Sequence, residues 1–204
     1  KATKVFAIEA TPSKAAKIEA NLRAAGVLEK VVLVSAAASN VTGKARISIP
    51  VGEQGSEMDS FGSTYFYTRE GGGTIEVDTI RLDQLVKEHV TMIKTDTQGH
   101  ELHVLMGAEG LIRDHGVDML MVEFAPRLLM ANGVDPGHLL NWIYDQGYTC
   151  FDCPSADDND QTWPPSPDWP RQLDLYDIGF LPNQANSGGP PEWDPGRFTD
   201  LLCV

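Results

Sequence analysis

The chain has 204 residues, 42% of them apolar, enough for one sizeable core and most simply a single domain. Its 29 acidic residues against 16 basic ones give a formal net charge of -13, which argues against nucleic acid or an anionic membrane surface as a partner. No apolar run approaches the roughly 20 residues that cross a bilayer, so no membrane-spanning segment is expected in it.

Lys4–Ala10 (KVFAIEA) is an apolar, partly β-branched run that ends in an acid and reads as a strand. A helix should follow, with Thr11 as N-cap, Pro12 at its first position and Gly26 at its end. Ala15, Ile18, Leu22 and Ala25 line one face of that helix. Val31–Ala37 (VVLVSAA) is continuous and β-branched, as a strand buried on both faces should be. These pieces make a βαβ unit, whose crossover is expected to be right-handed.

The middle of the chain changes character. Ala45–Pro50 alternates like a strand, residues 52–62 read as a loop, and STYFY (Ser63–Tyr67) as a short strand. Gly71, Gly72 and Gly73 lack the G-x-G-x-x-G spacing and precede a strand, so they read as a hairpin turn rather than a phosphate loop. Thr74–Val86 begins as an alternating strand and ends in a helical turn near Asp83.

Thr91–Asp96 is the next buried strand. The helix after it should be interrupted near Gly107 or Gly110 and stopped by Gly116. Asp118–Ala125 reads as a strand that again ends in an acid. Asp135 and Pro136 open a helix that Gly147 closes, and Tyr148–Cys153 is a strand. Residues 154–170, with Trp163 and Trp169, read as a surface loop, and Leu175–Pro182 as a last strand. The organisation expected is one domain over residues 1–182 and a Gly/Pro-rich tail over 183–204. The tail is a candidate surface for protein partners, or docks on its own body through Trp193, Phe198 and Leu201. Strand–helix alternation argues for a doubly wound α/β sheet with a β-hairpin insertion between the second and third buried strands.

Chemistry is expected at one turn. Lys94, Asp96, Gln98, His100 and Glu101 gather around Gly99 where strand becomes helix. In open α/β sheets, ligands bind at the carboxyl ends of strands. Lys94 and Asp96 lie two residues apart and so share a strand face. A buried lysine needs a partner, so a structural Lys–carboxylate pair stands beside a catalytic role. His100 and His103 do not have the i, i+4 spacing of H-E-x-x-H, so they read as exposed helix histidines and no metal site is expected. Of the three cysteines, Cys150 and Cys153 form a C-x-x-C within a predicted strand and without a second pair. They read as structural or free thiols rather than a redox or zinc site.

In order, FAIEATP, VVLVSAAASN, EVDTIRLDQL, MIKTDTQGHELHVLMGA and MLMVEF resemble the FkbM-type methyltransferases, over about Lys4 to Phe124. The K-x-D-x-x-G-x-E core followed by L-x-G-A is the most specific part. The resemblance implies a Rossmann-like class I methyltransferase fold, a mostly parallel sheet with Leu175–Pro182 as an antiparallel strand beside Tyr148–Cys153. It also implies S-adenosylmethionine as cofactor and a hydroxyl acceptor, on a small molecule, sugar or glycan. Glu9, Ala10, Ala36, Ala37 and Asp96 match its cofactor-binding positions, and Lys94, Asp96 and Glu101 its catalytic ones. Glu9 would accept hydrogen bonds from the ribose diol, and the small Ala36 and Ala37 would admit the adenine. Each also has a plain alternative, a solvated strand-end acid and tight helix–sheet packing. Gln98 departs from the acid common before the family's glycine, and Ala10 from its proline.

The glycine turn that holds the cofactor's methionine part in this family has no counterpart in the chain. The chain therefore reads as an N-terminally incomplete domain, inactive by itself, or as a degenerate domain whose gap another segment fills. A gap or foreign strand is expected between Lys4–Ala10 and Thr91–Asp96, because buried unpaired backbone groups cost about 1–3 kcal/mol each. A non-catalytic, methyltransferase-like structural subunit of a larger assembly is the alternative to an enzyme.

Overall fold

The computed structural model describes residues 4–49, 60–61, 73–153, 171–172 and 199–204. Ser63–Tyr67, residues 154–170 with both loop tryptophans, Leu175–Pro182, Trp193 and Phe198 fall outside them. The fold is α/β, and its described strands form three sheets rather than one.

The first sheet pairs β1 (Val5–Glu9) in parallel with β2 (Val31–Ser35), with Glu9 opposite Ser35. Between them runs α1 (Pro12–Ala24). It ends as its glycine demands. Gly26 adopts φ 67, its N–H reaches Arg23 O and the Val27 N–H reaches Leu22 O, which is a Schellman closure. Ala15 is buried and Ile18 and Leu22 partly so, but Ala25 is exposed. β2 is not buried on both faces as expected: Val32 is 37% exposed, and Val5 in β1 is 45% exposed.

The insertion is larger than a hairpin. β3 (Ala37–Ala38), β4 (Gly43–Ile49), β5 (Ser60–Phe61) and β6 (Gly73–Ile80) form a sheet in the order β3-β6-β4-β5. Its long antiparallel β4–β6 ladder is the expected hairpin, and β3 adds in parallel to β6. β5 lies inside the stretch that reads as loop. Ile47 and Val77 close a small core with Ala37.

The third sheet contains β7 (Val90–Thr95), β8 (Val117–Phe124), β9 (Cys150–Cys153), β10 (Arg171–Gln172) and β11 (Thr199–Cys203), in the order β10-β9-β11-β8-β7. It is mixed rather than mostly parallel. β7 and β8 are parallel, while β11 runs antiparallel to both β8 and β9. Thr199–Cys203 is an antiparallel strand beside β9; the strand expected there, Leu175–Pro182, lies outside the described residues. The stretch that reads as tail ends as a central strand, and its Leu201 is fully buried. β1 and β7 are not hydrogen-bonded to one another, in line with the gap expected between Lys4–Ala10 and Thr91–Asp96, but the first two and the next two buried strands then lie in different sheets rather than in one doubly wound sheet.

The main core lies against this third sheet. Leu120, Val122, Phe124 and Leu201 of its strands pack on Leu105 and Leu111 of α3 (Glu101–Met106) and α4 (Glu109–His115), and on Leu139, Leu140 and Ile143 of α6 (Pro136–Asp145). The break between α3 and α4 falls at Gly107, as the sequence suggests. A Cβ there would stand 2.1 Å from Ser39 O, so only glycine lets this junction meet the β3 segment. α2 (Leu82–Leu85) is the short helical turn expected near Asp83, whose carboxylate pairs with Arg81. The sequence reading misses α5 (Pro126–Ala131).

Cys150 is bonded to Cys203, not to Cys153. Thr149 and Val204 exchange both backbone hydrogen bonds, at 2.8 and 3.0 Å. The next pair along the strands, Cys150 and Cys203, is therefore a non-hydrogen-bonded one, where side chains come closest. The bond closes a loop of sequence separation 53 and locks β11 between its neighbours. Cys203→Ser should lower unfolding free energy by about 2–4 kcal/mol, and so should reduction of the wild type. Urea denaturation with and without reductant measures it; coincident curves would show that β11 docks without the bond.

Candidate active site

Three chain segments, joined by Ile47 of β4, converge on one cleft of about 160 Å³. Glu9, Ala10, Thr11 and Lys14 come from the β1–α1 junction, and Ala36, Ala37 and Ala38 from the β2–β3 junction. Asp96, Thr97, Gln98 and His100 come from the turn between β7 and α3. The register explains the convergence. Glu9 lies opposite Ser35, so the alanines that follow β2 flank the acid that ends β1. Glu9, Ala10, Ala36, Ala37 and Asp96, dispersed over 88 positions of sequence, thus line the same cleft. One Glu9 oxygen, Oε1, accepts the Thr11 backbone N–H at 2.8 Å, which fixes the carboxylate at the start of α1.

Glu101 and Lys94 are not among the cleft-lining residues. Glu101 is fully buried. Its Oε1 accepts the Thr97 N–H at 2.8 Å, the Thr97 hydroxyl at 3.0 Å and the Gly99 N–H at 3.1 Å. Its Oε2 is buried with no partner among the described residues. Burial pushes its carboxyl up, against the pull of those hydrogen bonds. Lys94 is not the buried lysine expected. Its side chain is 50% exposed and that of Asp96 48%, and its Nζ donates to Asp96 Oδ2 at 3.4 Å. The pair exists, on the expected strand face, but in contact with solvent.

The turn itself is tightly specified. Gln98 has φ 55 and Gly99 φ 94. A Cβ on Gly99 would lie 2.3 Å from Leu128 O and 2.5 Å from Asn132 Nδ2. Asn132 Nδ2 donates to Gln98 O at 3.0 Å, so α5 pins the turn from behind. His100 is buried rather than exposed. It stacks on His103 with ring centroids 4.4 Å apart, and its Nε2 is 3.1 Å from Ser39 Oγ. Burial first, then the neighbouring His103, lowers its pKa to about 3, so the ring stays neutral at ordinary pH.

The sequence reading passes over Glu123. The pairing of Thr95 with Val122 sets Asp96 beside Glu123, and β11 brings Asp200 opposite it. Burial, then the charges of Asp96, Glu101 and Asp200, push Glu123 up to about 8; a Gln98 backbone hydrogen bond opposes them. The available signal was the acid that ends a predicted strand, the same signal that marks Glu9. Lys14 and Thr11 had a weaker one, their place in the first turn of α1.

The family model for the methyltransferase FkbM domain matches residues 1–150. A crystal structure of Methyltransferase FkbM from Methylobacillus flagellatus KT is similar in fold, with a TM-score of 0.55 at 16% sequence identity. The likeness covers 99% of this chain and 36% of that one, so the chain spans about a third of that protein's length. None of the curated proteins matches the chain.

Gly99→Ala should cost at least about 2 kcal/mol, from positive φ and backbone overlap together. A thermal midpoint equal to wild type would show that the turn relaxes freely. Glu123 provides a pH test. Its folded-state pKa of about 8 exceeds the ordinary 4.5, so its contribution is fully present below 4.5 and lost as pH rises through 8. Glu123→Gln cannot ionise. Its stability relative to wild type should therefore climb over that interval, by up to roughly 5 kcal/mol at the limit. Denaturation curves that keep a constant offset at acidic and alkaline pH would refute it.

Proposed function

Because the chain belongs to the FkbM methyltransferase family, we propose that its cleft holds the nucleoside part of S-adenosylmethionine in a Rossmann-like class I arrangement. The full-length protein then transfers the methyl group to a hydroxyl of a sugar or glycan. The observation that carries this reading is the meeting of Glu9, Ala36, Ala37 and Asp96 in one cleft. The donor set suits a nucleoside. A carboxylate offers two acceptor oxygens to a cis-diol, and three consecutive alanines leave room for a flat ring. At about 160 Å³ the cleft is smaller than the roughly 300–1,000 Å³ of whole small-molecule sites, which fits part of a cofactor better than all of it.

The bound cofactor supplies a sulfonium methyl, and the protein has to align an acceptor and take its proton. Glu9, with Oε1 held by the start of α1, binds and orients the ribose. Asp96 is the proton acceptor for the hydroxyl. It lies at the carboxyl end of β7, half exposed and therefore reachable, with Lys94 as its ion-pair partner. Glu101 does not meet the acceptor; it holds the turn that presents Asp96. His100 remains a neutral ring in the cleft wall.

Calorimetry of the full-length protein with S-adenosylhomocysteine tests the first part. Glu9→Ala should weaken binding by about 1–3 kcal/mol, and unchanged affinity would remove Glu9 from the site. Asp96→Asn should bind as wild type does. With S-adenosylmethionine and a panel of methyl glycosides, it should release S-adenosylhomocysteine at least about tenfold more slowly. A wild type that binds no S-adenosylhomocysteine would favour the non-catalytic subunit instead.

A further inference from the structure

Asp96 does not stand alone in the structure. Gln98 Nε2 lies 3.2 Å from Asp96 Oδ1 and 3.3 Å from each of Glu123 Oε1 and Oε2. A side-chain amide nitrogen carries two hydrogens, one for each carboxylate. Gln98 lines the cleft and Glu123 does not, so the amide lies between the cleft acid and a more deeply buried one. We infer that Gln98 and Glu123 are positioning residues: the Gln98 amide, clamped between the two carboxylates, fixes the orientation in which Asp96 meets the acceptor hydroxyl. This rests on the reading of Asp96 as proton acceptor.

The backbone supports the assignment. Gln98 is the only non-glycine with positive φ among the described residues. Such a conformation costs on the order of 1–3 kcal/mol and persists where surrounding contacts over-determine it. Here the contacts are the Asn132 bond to its carbonyl and the two carboxylates on its amide. Chemistry supports it as well. An acid at position 98, the residue common before the family's glycine, would offer no N–H to either neighbour. An amide donates to both.

The charged surroundings of Glu123 come from every neighbouring element. Asp96 faces it from the end of β7, Glu101 from α3 and Asp200 from β11, while Lys94 acts on Asp200. Glu123 stays protonated to about pH 8. Above that it adds a negative charge, which reaches Asp96 across the shared amide.

The test uses the full-length protein labelled with ¹³C at aspartate and glutamate carboxyls. The Asp96 resonance, assigned with Asp96→Asn, should show an inflection near pH 8 that reports Glu123. Glu123→Gln should remove that inflection, and Gln98→Met, of similar length without an amide, should shift the resonance. In the methyl glycoside assay, Gln98→Met should lower kcat about tenfold while S-adenosylhomocysteine affinity stays within about twofold. Gln98→Glu should lower it further, and Glu123→Gln should flatten the pH–rate profile around 8. An Asp96 resonance identical in wild type and Glu123→Gln overturns the inference, and so do wild-type rates in both Gln98 variants. A wild type that binds cofactor but methylates nothing in the panel overturns the proton-acceptor reading instead, and the resonances then decide the clamp separately.

Discussion

Glu101 is a carboxylate with no exposure to solvent, and the turn before it is built around its Oε1. The first turn of a helix leaves N–H groups without intrahelical partners, and a chain folding back before it leaves more. One oxygen gathers the Thr97 and Gly99 N–H groups and the Thr97 hydroxyl. The turn that makes those bonds carries Gln98 and Gly99 at positive φ. Burying an acid is costly, and three hydrogen bonds to one oxygen offset part of that cost. Asp96, Gln98 and His100 reach the cleft because this turn points them there. Removing the Glu101 side chain would leave its donors buried and unmatched, so it supports the site without touching it.

The cleft is divided among three sheets that share no strand hydrogen bond. Ile8 of β1 and Ile93 of β7 both pack against Leu82, Val104 and Ala108. That apolar contact is non-directional and does not set a precise spacing. Polar ties set it instead. Ser39 Oγ meets His100 Nε2, the Asp83 N–H donates to Gly107 O at 2.9 Å, and Lys4 pairs with Glu88. The exposed Lys4–Glu88 pair is worth little. The buried Ser39–His100 contact matters more, because a neutral imidazole and a hydroxyl can satisfy each other without burying a charge. The small side chains at Ala36 and Ala37 and the glycine at 107 allow these sheets to come close.

Local signals in the sequence were legible where they had a local cause. Thr11 stands at the N-cap of α1 without a side-chain cap bond, Pro12 and Gly26 bound that helix, Gly107 breaks the helix after the turn, and Asp135 accepts the Gly137 N–H at the start of α6. Glu9 and Asp96 could be read because they stand at the carboxyl ends of strands, a position that hydrophobic patterning locates well. What could not be read depends on partners distant in sequence. β11 looks like part of a Gly/Pro-rich tail because five residues carry little pattern, and only pairing with β8 and β9 makes Thr199–Cys203 a strand. The same pairing selects Cys203 over Cys153 for Cys150. Lys94 reads as buried because Thr91–Asp96 reads as a buried strand, yet its face is open to solvent.

Three strand-end acids occupy corresponding positions at the carboxyl ends of the parallel strands, and their surroundings separate them. Glu9 is fixed by a backbone N–H at a helix start. Asp96 is half exposed beside an exposed lysine. Glu123 is partly buried among like charges and keeps its proton to about pH 8. Environments that push carboxyl groups apart also separate their uses. A fixed acceptor suits an uncharged diol. A reachable, ion-paired acid suits a hydroxyl that must lose a proton. A partly buried acid that stays neutral and does not line the cleft is suited to acting through its neighbours. Gln98 is what connects the last two, since an amide can donate to both carboxylates whichever of them carries the charge. The division of labour therefore depends less on which residue type ends each strand than on what the fold packs behind it.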